Sequence, residues 1–153
     1  MKKSILLILT CLLMLVSAQN TQAQTKEETI DWLKEKIKKT GGFSDDDYVT
    51  KIIRVTPCEI SYEIKNSKEK VKIVSFPVKV NWETITYKRQ HMANPPMGIT
   101  SATSADIVQY KSNGKISYSC CATFKNIEEN LTERIIKALR HLASFCEKKK
   151  ETF

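Results

Sequence analysis

Histidine is nearly missing from this chain: His91 and His141 are the only two in 153 residues. Neither stands in a nucleophile motif, so no Ser/His/Asp arrangement can be drawn without assuming proximity. The five cysteines contain no Cys-x-x-Cys, and no histidine is spaced to complete a zinc set, so thioredoxin-like exchange and zinc binding both lack their usual pattern. Asp45-Asp46-Asp47 lacks the glycine and distal glutamate of an EF-hand loop and reads as a polar turn. The one long apolar run, Ile5 to Val16, falls short of the ~20 residues that span a bilayer. No catalytic residue, metal or cofactor is expected on these grounds.

That apolar run has a different meaning. Lys2 and Lys3 precede it, and the small residues Ser17-Ala18 and later Ala23 follow it. Cationic head, apolar core and small-residue exit are the order a secretory signal peptidase reads. The sequence therefore predicts a leader over residues 1–23, cut after Ala18 or Ala23, and a single domain over 24–153 in the periplasm or outside the cell. Cys11 would leave with the leader. It does not follow a small residue as a lipid-attachment cysteine does. Lys2 and Lys3 would leave too, lowering the formal net charge of +8 by two. Lysines are interspersed with glutamates, as in Lys34-Glu35-Lys36 and Lys68-Glu69-Lys70, which reads as a solvated surface and not a nucleic-acid footprint.

About 130 residues suffice for a core without staples. Thr25-Lys26-Glu27-Glu28 is a capping box. Behind it Ile30, Leu33 and Ile37 recur at helical spacing, Trp32 widens the apolar face, and Gly41-Gly42 ends the helix with a left-handed turn. The period then changes to two. Cys58, Ile60, Tyr62 and Ile64 alternate with polar residues. Val71 to Val80 forms another strand, its Pro77 implying an edge or bulge, and Trp82 to Tyr87 a third. Residues 88–105, with Pro95-Pro96, read as a long functional or mobile loop. Ser112-Asn113-Gly114 joins two alternating strands in a hairpin. Along its second strand, Lys115 to Phe124, one inward face carries Ile116, Tyr118, Cys120, Ala122 and Phe124, leaving Cys121 outside. A closing helix from about Glu129 to Lys149, capped by Asn130 with Glu133, presents Leu131, Ile135, Ala138, Leu139, Leu142 and Cys146 as one stripe. Lys148 to Lys150 suit its C-terminal dipole.

Cys58, Cys120 and Cys146 are thus expected on inward faces, as buried thiols or one structural disulfide, with three pairings open among the four mature cysteines. A vicinal Cys120-Cys121 bridge would strain a strand and is not expected. Candidate contacts for a ligand or partner are His91, Met92, Pro95, Pro96 and Met97 in the long loop, together with Trp82. Tyr87 and Tyr110 could extend such a patch. His141, at the margin of the closing helix, reads as solvated or capping.

The segment Asn130 to Leu142 followed by Phe145-Cys146 resembles the last helix of small exported proteins of Bacteroidetes, in which it caps a pleckstrin-homology-like barrel. The opening Thr29-Ile30-Asp31-Trp32-Leu33 and the Ala-Gln leader end are similar too. The resemblance implies an α+β fold, an antiparallel curved sheet or small barrel flanked by an N-terminal and a capping C-terminal helix. It brings no catalytic residues. The function expected is that of an exported, monomeric, non-catalytic binding module for a protein or small ligand. The alternatives are an inhibitor or immunity-type protein acting through residues 88–105, and a small periplasmic enzyme built around His91.

Overall fold

The computed structural model describes residues 24–42, 46–68, 70–86, 96–103, 105–125 and 127–147. The expected leader, Tyr87, His91, Met92, Pro95 and Lys148 to Lys150 lie outside them. Among the described residues the architecture is α+β: two helices and two antiparallel sheets, with no closed barrel.

Helix α1 spans Lys26–Thr40. Its capping box is complete: the Glu28 amide donates to Thr25 Oγ1 at 3.2 Å, and the Thr25 amide donates to the Glu28 carboxylate at 2.8 Å. Leu33 and Ile37 are buried, and Ile30 and Trp32 pack at the edge of the core. The helix does not end in a left-handed Gly41. That residue is extended, with φ −61° and ψ 133°, and bridges to Phe124. Glycine is needed there for close approach, because a Cβ would lie 2.8 Å from both the Ile37 carbonyl and Val49 Cγ2. The positive φ falls on Gly42 instead.

The larger sheet runs β1 (Tyr48–Val55), β2 (Glu59–Lys65), β3 (Val71–Pro77), β6 (Val108–Ser112) and β7 (Lys115–Ser119), in that spatial order. Alternation sends Ile60, Tyr62 and Ile64 of β2, Val74 and Phe76 of β3 and Val108 of β6 to one buried face. Strand β3 is central, yet Pro77 is tolerated because pairing with β6 covers only Ile73 to Ser75. Asn113 and Gly114, with φ of 48° and 76°, form the tight turn between β6 and β7.

The smaller sheet runs β4 (Trp82–Thr86), β5 (Met97–Ser101) and β8 (Cys121–Phe124). Strand β5 corrects the reading of 88–105 as one long loop. Met97 to Ser101 pair with β4 on one side and β8 on the other, a central position for an Ile99 that is fully buried. The two prolines before it and Gly98 within it concealed a strand too short to show its own period.

The predicted continuous strand from Lys115 to Phe124 is also corrected. It breaks at Cys120, where the chain leaves one sheet for the other, and the side-chain phase resets. Ile116 and Tyr118 are exposed, whereas all four residues of β8 are buried. Cys120 is half-buried and Cys121 is buried, the reverse of the expected phase. The structure bonds the two to each other. The expectation against that bridge assumed mid-strand geometry, and the pair sits at a bend.

Helix α2 spans Leu131–Ala143 and lies against α1, β4 and β5. Leu131, Ile135, Ala138, Leu139 and Leu142 are buried as predicted. Asn130 does not cap it: its φ of 53° is left-handed and its side chain makes no cap bond. The helix is shorter than expected at both ends, so Cys146 follows it and is bonded to Cys58. Cys58 precedes β2 in an exposed turn and is not an inward strand residue. The pair ties the end of α2 to the β1–β2 connection.

The two sheets share one core. Tyr62 meets Phe76 edge-on at 6.4 Å between ring centres, and Phe76 meets Trp82 of β4 at 5.5 Å. Trp82 is fully buried, its indole N–H donating to the Val78 carbonyl at 3.3 Å. It is a core residue, not the ligand contact expected from sequence.

Candidate functional site

Helices and the smaller sheet cover only part of the inner face of the five-stranded sheet. Toward the β2–β3 and β6–β7 turns that face stays open, as a groove of about 1130 Å³. Its floor continues the buried phase of the strands. Lys72 follows the same alternation as Val74 and Phe76, and Ser112 follows Val108 and Tyr110. Ser117 and Ser119 of β7 complete the floor, paired across the ladder with Tyr110 and Val108. The far wall is β8, through Thr123 and the bonded Cys120 and Cys121, with Ile85 of β4 beside it. Lys70 and Lys115 stand at the two turns, and Asp47 is the one acidic side chain of the lining among the described residues.

Hydroxyls organise the site. Tyr110 donates from its hydroxyl to the Cys121 carbonyl at 3.1 Å, fastening the floor to the wall. The neighbouring Cys120 carbonyl accepts from Thr100 Oγ1 at 3.3 Å, and the Cys121 amide donates to Ser119 Oγ at 3.3 Å. The bend at the cysteine pair is therefore held on three sides. Ser112 donates to the Val71 carbonyl at 2.9 Å, which fixes its hydroxyl against β3. A serine hydroxyl with one bond made still accepts others. No ion pair engages Lys70, Lys72 or Lys115 among the described residues.

The groove is thus a concave surface with three ammonium groups over a hydroxyl-lined floor. That suits recognition of an anion that also accepts and donates hydrogen bonds. Acid–base work would need a paired acid and base in reach of one another, and the lining offers the Asp47 carboxylate and lysines. Among the described residues no three His, Cys, Asp or Glu side chains converge as a metal site.

The residues singled out from sequence do not assemble here. Trp82 is in the core, Pro96 is buried, and Met97 is half-buried in β5 facing Thr86 and Phe124 across its ladders. His91, Met92 and Pro95 lie outside the described residues. Of the suspected aromatic patch, Tyr110 lines the groove, Trp82 does not, and Tyr87 lies outside the described residues. Lys72, Ser112 and Ser117 were missed, although one signal marks the first two: they are polar residues standing in phase with the buried positions of their strands. His141 sits elsewhere, its Nε2 at 2.7 Å from the Gln24 carbonyl and its ring edge-on to Phe145. Comparisons with protein-family models, with curated proteins and with solved structures return no match to this chain.

Proposed function

We propose that the protein is an exported, non-catalytic binding module whose groove takes an anionic, hydroxyl-rich ligand of the acidic oligosaccharide class. The observation that carries this reading is the lining itself: Lys70, Lys72 and Lys115 against one acid, over serine and threonine hydroxyls. Ammonium groups on turns and strand ends attract carboxylates or sulfates, and the hydroxyl floor matches the alternating donors and acceptors of a sugar chain. Export is supported by the leader pattern, and the bonded Cys58 and Cys146 suit an oxidising compartment. The fold between the helices is compatible with the pleckstrin-homology-like resemblance only in its antiparallel sheet and closing helix, and a phosphoinositide ligand does not follow from it.

The test is calorimetric titration with an oligogalacturonate, with a neutral maltooligosaccharide of equal length as reference. The acidic oligomer should bind and the neutral one should not, with affinity falling as salt is raised. Lys72→Ala with Lys115→Ala should weaken binding about tenfold or more, and chromatography of the titrated sugar should show no cleavage. Equal binding of the neutral oligomer, or unchanged affinity in the double variant, would discard the groove as an anion site.

A further inference from the structure

A second cavity lies between the two helices and shares no lining residue with the groove. It is an open cleft of about 480 Å³, within the ~300–1,000 Å³ usual for small-molecule sites. Trp32 of α1 forms one side. Arg134, Lys137 and His141 of α2 form the other, at i, i+3 and i+7 on one helical face, with the small Ala138 leaving room between them. Gln24 closes one end through its bond to His141.

Two features make this more than a gap between helices. First, the indole of Trp32 is half-exposed in the cavity with cations around it: the Arg134 guanidinium carbon lies 5.4 Å from the ring centre and Lys36 Nζ lies 5.8 Å away. It is a flat apolar surface already set among positive charge. Second, the charge is not balanced locally. Glu128 accepts from Lys36 Nζ at 2.7 and 2.8 Å and from Arg134 at 3.2 Å, so one carboxylate serves two cations. Among the described residues Lys137 has no partner and no acidic side chain lines the cavity.

We infer that this cavity binds a small planar organic anion, an aromatic carboxylate, with its ring against Trp32 and its carboxylate between Lys137 and Arg134. A purely inorganic anion would leave the indole surface unused, and a neutral aromatic would leave Lys137 unanswered. The cationic lining also disfavours the amino group of a new chain end at Gln24 as the occupant.

The two tryptophans supply a built-in control. Trp82 is buried, bonded to Val78 and absent from the cavity lining, so only Trp32 should meet a ligand directly. In nitrogen–proton correlation spectra of the purified protein, benzoate should shift the Trp32 indole N–H saturably and leave that of Trp82 in place. Benzyl alcohol and inorganic phosphate should each produce little. Lys137→Gln removes one half of the proposed carboxylate clasp without touching the Glu128 ion pairs, and should weaken benzoate binding about fivefold, as expected for one solvent-exposed charge contact. An unmoved Trp82 resonance in that variant reports an intact core. No benzoate shift, an equal response to benzyl alcohol or to phosphate, or an unchanged Lys137→Gln titration would each overturn the inference.

Discussion

Lys36 is the most deeply placed lysine described in this protein, at 8% exposure, and Glu128 reaches it with both carboxylate oxygens. A buried ammonium without such a partner would be costly. The Lys36 hydrogen bond holds the Glu128 carboxyl below its ordinary value of 4.5, with help from the charges of Lys36 and Arg134. The folded-state pKa is then lower than in the unfolded chain. Between the two values the unfolded chain binds the extra proton, so stability rises with pH there. The contribution is complete above the unfolded value and is lost as pH falls through the folded one. Glu35, lowered by its bond to Lys39, adds in the same direction. Melting curves collected from about pH 5 to about pH 3 should therefore fall less steeply for Glu128→Gln than for the parent protein, since the variant has already lost the titrating contact. Parallel curves would place the acid sensitivity elsewhere.

Among the elements, those with unbroken periods over several residues could be read from sequence, and those defined by their neighbours could not. Helix α1 announces itself by a capping box and a stripe, and the β6–β7 hairpin by Asn-Gly. Strand β5 has five residues between prolines and a turn, and only its two ladder partners make it a strand. The Cys120 bend is invisible for a similar reason, because alternation continues through it in the letters while the chain changes sheets. The groove followed the same rule. Lys72 and Ser112 break the apolar pattern at core-phase positions, a signal that reads as noise until the uncovered end of the sheet is seen. Helix α2 carries a prediction of its own. Its end is tied to the β1–β2 turn by Cys58–Cys146, at a separation of 88 residues, whereas Cys120–Cys121 closes a ring between neighbours and restricts the unfolded chain little. Cys58→Ser and Cys146→Ser should each cost about 2–4 kcal/mol in chemical denaturation. Added reductant should destabilise the parent protein by a similar amount and the variants far less. A parent protein indifferent to reductant would show that the long link contributes nothing.

At the scale of the whole molecule, the question is whether two sheets that share no strand behave as one domain. Among the described residues the backbone of the smaller sheet is tied to the end of α1, by Gly41 bridging to Phe124, the Gly42 amide donating to the Thr123 carbonyl at 3.3 Å and the Lys125 amide donating to the Thr40 carbonyl at 2.7 Å, while the Tyr110 hydroxyl reaches the Cys121 carbonyl from the larger sheet. The side chains are not so divided. One cluster runs from Leu33 and Ile37 of α1 through Tyr62 and Phe76 of the larger sheet to Trp82, Ile99 and Phe124 of the smaller, and on to Ile135 and Leu139 of α2. Removing the smaller sheet would uncover Phe76, and removing the larger would uncover Trp82, so neither half keeps a core of its own. Packing of this kind makes partial unfolding as costly as complete unfolding, which is the condition for two-state behaviour. Denaturation followed by far-ultraviolet dichroism, which reports both helices and both sheets, should then coincide with tryptophan fluorescence, which reports Trp82 in the core and Trp32 at the helix pair. A fluorescence transition preceding the loss of secondary structure would mean that the smaller sheet and α2 detach first, and that the shared cluster is a contact between two separable halves.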